Sequence, residues 1–312
     1  MGRSPTAGRT NPPRSGGGTV TRPTGSTRGR SSTQTVRAPN GHNVKINPTV
    51  NRGGRTITQR AVTHNHETMI QRTSVRRFGG HNVSRDRFFR FHDFHGFHFF
   101  VFAPFWAFDL AFWDFYFAPF GAPWFYTWPW VSAPWYAAWG WYYTPYPYYL
   151  DASYWVTDYV VSDMLSDQYE QGYNSGEAKG IAISESNRDQ LRTEVEACSR
   201  DLKAGQAPVI DTALQTPGYL FAVDSSYDAV SVAEGTNCSL TTGDLIKVSQ
   251  APGVTDTSVL MEVVTAKNGS CAAGVQVRIA LTDLQEMING FSERVDDGLN
   301  DFKNHKGEVH PR

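Results

Sequence analysis

Three histidines recur at a three-residue spacing in residues 91–98, which read FHDFHGFH. Imidazole groups bind zinc, copper or nickel, so His92, His95 and His98 are the first candidates for chemistry. In an extended strand, however, this spacing scatters the side chains over both faces. No cysteine or glutamate completes a recognised ligand pattern. We therefore regard the three histidines as weak metal candidates and expect no cofactor.

The chain has three cysteines, too few for a disulfide-rich scaffold. Cys238 follows the second of five predicted strands, and Cys271 lies at a predicted Asn-Gly hairpin. In a small barrel these two could approach to disulfide distance, which would stabilise the fold by roughly 3–4 kcal/mol; two reduced thiols are the alternative. Cys198 lies on the apolar face of a predicted helix. It is either a small core residue or, alternatively, the site of an intermolecular disulfide.

Arginine dominates the beginning of the chain. Residues 1–90 hold 17 of the 29 Lys and Arg but only two acids, a net charge of +15, whereas the remainder carries −16. Such a segment could bind a polyanion, either nucleic acid, anionic lipid or an acidic surface polymer. A solubilising tail that balances the acidic half is the alternative. The candidate polyanion contacts are Arg37, Arg52, Arg55, Arg60, Arg72, Arg76 and Arg77.

Catalytic signatures are missing from the sequence. It contains no Gly-x-Ser-x-Gly, Walker A, His-Glu-x-x-His or Gly-x-Gly-x-x-Gly pattern. The triplet 224–226 (Asp-Ser-Ser) is typical of a turn rather than of a nucleophile. We expect the protein not to be an enzyme.

The elements that would position these residues change in character along the chain. Residues 1–35 are rich in Gly, Ser, Thr, Pro and Arg, and cannot bury enough surface to fold, which predicts a disordered basic arm. Residues 36–87 alternate short strand-like runs with turn signals, which predicts a β-hairpin ribbon.

Aromatic residues are concentrated in residues 88–150, which contain 31 of the 42 Phe, Trp and Tyr. Seven prolines from 104 onward exclude a long helix, so we expect an irregular aromatic and proline-rich segment. Two interpretations stay open. The segment could mediate adhesion, membrane-surface contact or self-association, or it could wrap around the rest of the fold.

Helical patterns follow in residues 151–204. Ser153 is the predicted N-cap of the first helix, and Ser186 is the predicted N-cap of the second, with Leu191, Val195, Cys198 and Leu202 on its apolar face.

Residues 217–303 form the best-defined predicted unit. Five short strands at close spacing indicate a small barrel or sandwich, which we expect to fold alone. A C-terminal helix follows, with Thr282 and Gln285 as a predicted capping box and a seven-position apolar stripe. Residues 304–312 are predicted to be a tail. The fold class is therefore α+β.

From the aromatic segment onward the chain resembles a family of bacterial exported proteins without known activity. The resemblance rests on residues 139–147 (WGWYYTPYP), 154–159 (YWVTDY), 238–245 (CSLTTGDL) and 281–287 (LTDLQEM). It implies export, pairing of Cys238 with Cys271, and an SH3-like β-barrel with Gly243 and Asp244 in a turn.

The sequence thus predicts a non-enzymatic structural or interaction protein of the bacterial cell envelope or exterior, with an anionic polymer or a membrane surface as partner. Nucleic-acid binding through the arginine-rich arm is the alternative. Residues 1–20 contain no apolar run typical of a signal peptide. We nevertheless expect an extracytoplasmic location from the family resemblance. The sequence contains no run of 18 apolar residues, so it predicts no membrane span.

Overall fold

The computed structural model describes residues 33–38, 41, 43–52, 55–64, 66–78, 81–104, 108–172, 180–233, 235–267 and 271–309. The side chains of residues 51, 52, 55, 64, 76–78 and 81–83 lie outside this description. The predicted disordered arm, residues 1–35, is outside it up to residue 32. Its last two residues belong instead to a strand, β1 (Gln34–Arg37), which pairs antiparallel with β2 (Asn43–Ile46).

A five-stranded antiparallel sheet follows, with its strands adjacent in chain order. The strands are β3 (Thr49–Arg52), β4 (Arg55–His64), β5 (Glu67–Phe78), β6 (His81–Phe94) and β7 (Phe97–Ala103). The predicted hairpins of residues 36–87 are therefore present. The sheet extends beyond them, because β6 and β7 continue into the aromatic segment.

The prediction of an irregular segment over residues 88–150 is wrong at its beginning. Residues 88–98 interleave aromatic and polar side chains, and residues 99–103 are all apolar; both patterns suit strands and precede the first proline. Phe89 pairs with Phe102 across β6 and β7, and both are buried. Two short helices then interrupt the chain, α1 (Leu110–Tyr116), capped by Asp109, and α2 (Pro134–Trp139).

Three helices follow, α3 (Ala152–Glu170), α4 (Glu185–Lys203) and α5 (Ile210–Gln215). The predicted caps are each displaced by two residues, since Asp151 caps α3 and Ser184 caps α4. Both are oxygen-bearing side chains, and they compete with the neighbouring serines for the same role. The predicted apolar face of α4 is buried.

The C-terminal strands are β8 (Leu220–Ala222), β9 (Tyr227–Val230), β10 (Asn237–Leu240), β11 (Leu245–Gln250), β12 (Ser258–Thr265) and β13 (Gln276–Ala280). They form a four-stranded antiparallel sheet in the order β13-β12-β11-β8 and a β9-β10 hairpin. The sequence analysis missed β10, because its four residues, NCSL, give an alternation too short to stand out, with only Cys238 and Leu240 apolar. Cys238 lies on this strand.

The last helix, α6 (Leu281–His305), buries all seven residues of its predicted stripe. The predicted capping box is wrong, because Gln285 turns away from the helix end and accepts a hydrogen bond from the Ile210 N–H. The predicted tail is also shorter. The helix continues to His305, and Val309 is buried after one turn of 3-10 helix.

Helix α6 lies at the centre of the fold, in contact with α3, α4 and β7. The side chain of Asn289 bonds the backbone of β7, accepting from the Phe102 N–H and donating to the Phe100 carbonyl. The described residues from 33 to 309 group as one unit, without the predicted boundary at residue 217, and independent folding of residues 217–303 stays a prediction. The stripe of α6 is shared with the preceding helices, which explains the difference. No helix among the described residues is long and apolar enough to cross a membrane.

Candidate ligand-binding groove

A groove of about 660 Å³ opens beside α3 and α6. This volume lies within the range of small-molecule sites. One wall is aromatic and comes from residues 126–135 together with Tyr159, and the other is polar and comes from the two helices. We call this cavity the groove.

The aromatic wall rests on a stack of four rings. Trp130 stacks on Trp128 at 5.3 Å between ring centroids, Trp128 on Trp155 at 4.6 Å, and Trp155 on Tyr159 at 5.8 Å. Trp135 adjoins the Trp130 end of the stack at 5.1 Å. Aromatic pairs of this kind add about 0.5–1.5 kcal/mol each beyond their area burial, so the wall is rigid before any ligand arrives.

Two prolines set the backbone direction of the segment that forms this wall. Pro129 begins a 3-10 helix (Pro129–Ser132), and Pro134 begins α2. At a helix start the missing N–H of proline costs nothing and its fixed φ favours the turn. The prolines that made the segment look irregular therefore initiate two short helices that place Trp130 and Trp135.

A buried carboxylate, Asp158 on α3, fixes the aromatic segment from behind. It accepts hydrogen bonds from the hydroxyls of Tyr143 and Tyr149 and from the Tyr146 N–H. Tyr149 in turn accepts from the indole N–H of Trp128 at 2.7 Å. Burial raises the pKa of Asp158 to about 7 despite these donors. The network joins the wall of the groove to the core of α3.

The polar wall follows helical periodicity on two elements. Helix α3 contributes Ser162, Asp163, Ser166 and Asp167, and α6 contributes Asp297, Asn300, Asp301 and Asn304. Residues three and four apart share a helix face, so each set forms one stripe along the groove. The helices are close here because Gly298 has no side chain. A Cβ at this position would lie 3.0 Å from Tyr159 Cδ1.

Three of the four groove carboxylates are held by arginines. Arg294 lies 3.0 Å from both Asp163 and Asp167, and Arg85 and Arg87 both contact Asp297. The fourth, Asp301, forms no such ion pair with the described residues. Burial raises its pKa, an effect that the charges of His305 and Arg85 oppose. The groove therefore contains one carboxylate, Asp301, whose negative charge is not paired with an arginine in the described part of the chain.

A second buried network joins the aromatic segment to the C-terminal sheet. Lys267 Nζ lies 2.7 Å from Asp244 Oδ1, and both side chains are almost wholly inaccessible. The ammonium group lies 4.8 Å from the centre of the Tyr142 ring, and the Tyr142 hydroxyl donates to the Gly243 carbonyl. Burial lowers the pKa of Lys267. Gly243 and Asp244 form a turn, as the resemblance implied, with Gly243 at a φ of +89°.

The structure does not bring the candidate histidines together. His92 Nε2 lies 3.2 Å from Asp211 of α5, and His98 bonds Asp93 across the hairpin. His95 stands in the turn and stacks on Phe94. The described part of the chain holds no group of three or more His, Cys, Asp or Glu placed to bind a metal.

The candidate polyanion contacts have mixed positions. Arg37 is exposed, whereas Arg60 is exposed but bonds Gln71. Arg72 conflicts with the prediction, because it forms a two-pronged pair with Glu286 on α6, at 2.7 and 2.9 Å, and lies over the Phe89 ring. The strands carry Arg52, Arg55, Arg76 and Arg77, whose side chains lie outside the described part.

The cysteines are arranged as the family resemblance implied. Cys238 and Cys271 lie at disulfide distance, with 33 residues of separation along the chain. Cys198 is a buried free thiol, whose pKa is raised by burial. It contributes to the core through its position on α4.

Comparison of the chain with protein-family models, curated proteins and solved structures returned no match. The groove residues were also missed by the sequence analysis. A signal for them exists in the i, i+3, i+4, i+7 spacing of Asp297, Asn300, Asp301 and Asn304, which marks a polar stripe on a helix. Its partners lie more than a hundred residues earlier in the chain.

Proposed function

We propose that this chain is a non-enzymatic interaction protein of the bacterial cell envelope or exterior, and that the groove is the surface it uses. The observation that supports this most strongly is the combination of a preformed aromatic wall and a polar helical wall around 660 Å³. Largely preformed, mostly apolar cavities with a few fixed polar groups are typical of ligand sites.

The state of three of the four groove carboxylates favours binding over catalysis. General acid–base work needs a group that exchanges a proton with the substrate near the working pH. Asp163, Asp167 and Asp297 are instead held by arginines, which stabilise the charged form. Such carboxylates orient a ligand rather than transfer its protons.

The compartment is part of the proposal. Disulfides persist in oxidising compartments, and the proximity of Cys238 and Cys271 supports an extracytoplasmic location. Blocking free thiols in intact cells before lysis, followed by reduction and a mass-shifting label, tests this point. We expect two of the three cysteines to take the label only after reduction. Labelling of none would place the protein in a reducing compartment.

We also propose that β8–β13 form an SH3-like barrel. The order of strands supports this, since β11, β12 and β13 form a meander, β8 pairs with β11, and the β9-β10 hairpin projects between them. A bridge from Ser231 to Val277 brings the hairpin to β13 and would close the barrel. In this proposal the barrel is a scaffold that holds α6.

A ligand screen at the groove tryptophans tests the binding function. The full chain is labelled with 5-fluorotryptophan, and the signals of Trp130 and Trp135 are assigned with single Trp→Phe variants. Organic cations, neutral oligosaccharides and carboxylic acids are then titrated in separate sets. Saturable shifts of these two signals by any one set, with the buried Trp139 as internal control, would support the proposal. Shifts by none of the three sets would contradict it.

A further inference from the structure

We propose that the ligand of the groove is an organic cation with an apolar body, of the quaternary ammonium class. This inference rests on the proposed function and names the chemistry that the groove would recognise. It follows from what covers the two walls.

The aromatic wall suits a cation with little hydration. The faces of Trp and Tyr rings carry negative potential, and a cation within about 6 Å of a ring centre is attracted to them, most strongly when it has lost its water. Five rings line the groove, from Tyr126, Trp128, Trp130, Trp135 and Tyr159; Trp128 is stacked on both faces, so only the other four can present a face to a ligand. The fold already uses this interaction elsewhere, since Arg188 lies 4.0 Å from the Tyr146 ring centre.

The polar wall adds net negative charge. Four carboxylates line the groove, and the three arginines Arg85, Arg87 and Arg294 pair with three of them. No lysine is among the described residues that line it. Asp301 is the groove carboxylate that is not part of these ion pairs. The neighbouring His305 pairs with Glu308. Because Arg87 is also shared with Asp296, outside the groove, the excess of negative charge is at least one, and a cationic ligand would offset it.

Other ligand classes fit less well. An anion would meet the unmatched charge of Asp301 in a partly buried site, where repulsion is stronger than in water. A neutral sugar could use the rings and the amides of Asn300 and Asn304, but it would leave Asp301 desolvated without compensation. The desolvation of Asp301, which also raises its pKa, is relieved by contact with a cation.

Calorimetric titration of the full chain with choline tests the inference. Its uncharged isostere, 3,3-dimethylbutan-1-ol, has the same shape without the positive charge, and maltohexaose and chitotetraose represent neutral sugars. We expect choline to bind saturably at one site, at least tenfold more tightly than the isostere. Equal affinity for choline and its isostere would overturn the cation assignment.

Two variants and a control locate the effect. Asp301→Asn removes the charge and keeps the shape, and Trp130→Leu removes a terminal ring of the stack; each should weaken choline binding at least fivefold. Glu185→Gln, at an exposed carboxylate on α4, should leave it unchanged. An equal loss in all three, or in none, would overturn the inference. Circular dichroism and urea unfolding confirm that each variant is folded.

The outcomes separate this inference from the proposed function. Binding of a sugar without choline would overturn the cation class and leave the groove as a ligand site. Failure of every probe here and of all sets in the fluorine screen would overturn both.

Discussion

At the scale of single residues, the buried polar groups have the largest consequences. Asp158 and Lys267 are each inaccessible to solvent, and each connects the aromatic segment to another part of the fold. A buried polar group that loses its partners pays the full cost of desolvation, so substitutions here are informative.

The first prediction concerns Asp158 and pH. Burial raises its pKa in the folded protein from the ordinary 3.8 to about 7. As pH rises from about 4 to 7, Asp158 loses its proton in the unfolded chain but keeps it in the folded protein. The free energy of unfolding therefore falls as pH rises through this interval. Above pH 7 both states are ionised and the effect levels off.

The measurement compares Asp158→Asn with the unaltered chain by urea unfolding at several pH values. At low pH the protonated acid of Asp158 has one donor hydrogen, whereas asparagine has two among the same three donors, so we expect a loss of about 1–3 kcal/mol there. The difference between the two proteins should shrink from pH 4 to pH 7, because only the unaltered chain carries this titration. Glu194, whose pKa is also raised to about 7, is present in both and cancels. A difference that is independent of pH would contradict the prediction.

The second prediction concerns the buried pair of Lys267 and Asp244. Removing one partner of such a pair leaves an uncompensated charge and typically costs about 3–5 kcal/mol. We expect Lys267→Met or Asp244→Asn alone to destabilise by about this amount, and the double variant to cost less than the sum. Equilibrium unfolding of the four proteins gives the coupling energy. Strict additivity would show that the pair does not act as a unit.

At the scale of elements, part of the charge asymmetry of the sequence corresponds to an interface within the fold. The basic five-stranded sheet lies against the acidic helix α6, and Arg72, Arg85 and Arg87 pair with its carboxylates. The sequence analysis considered a balance between the two halves of the chain only as a solubilising tail. For these arginines the structure shows specific pairing within a fold.

A charge exchange tests this interface. Arg72→Glu places two carboxylates opposite each other at a site where both side chains are largely buried, so we expect a loss of at least 2 kcal/mol, on the order of a buried charge left unpaired. Adding Glu286→Arg should restore part of the loss. Arg278→Glu, at an exposed position of β13, serves as the control and should change the free energy of unfolding by less than about 0.5 kcal/mol. Absence of rescue would mean that Arg72 acts through its contact with Phe89 instead.

Local patterns predicted what local physics determines. The stripe from Leu284 to Phe302 and the face of Leu191 and Val195 were recoverable, because helical period and burial depend on near neighbours. The role of residues 88–150 was not. Phe102 and Tyr149 are core residues because α6 and α3 pack against their segments, and such packing has no signature within a short window. The groove was missed for the same reason, since its walls come from three separated segments.

At the scale of the whole molecule, the aromatic segment is chiefly a core rather than a surface. Trp139, Tyr142, Tyr143 and Tyr149 are almost completely buried, and they belong to the same hydrophobic core as residues of α3 and α6. Self-association through the segment stays a proposal that concerns its exposed residues, such as Phe125.

The disulfide contributes to the stability of the whole chain. Closing a loop with a separation of 33 residues stabilises by roughly 3–4 kcal/mol in the chain-entropy model. We expect Cys238→Ser combined with Cys271→Ser to lower the free energy of unfolding by about this amount under oxidising conditions. Cys198→Ala is the control for loss of a thiol alone; it keeps the Cys238–Cys271 pair and should respond to added reductant as the unaltered chain does, whereas the double variant should not respond. An unaltered chain whose stability does not respond to reductant would contradict this expectation.

The central claim is that the groove is the ligand site of the molecule. A nitroxide that carries a trimethylammonium group tests it most directly, because paramagnetic broadening reports where a bound cation lies. In the fluorotryptophan-labelled chain we predict saturable broadening that is strongest at Trp130 and Trp135, is displaced by choline, and is weakened in Asp301→Asn. Broadening that is spread evenly over the tryptophans, or that choline does not displace, would contradict the claim.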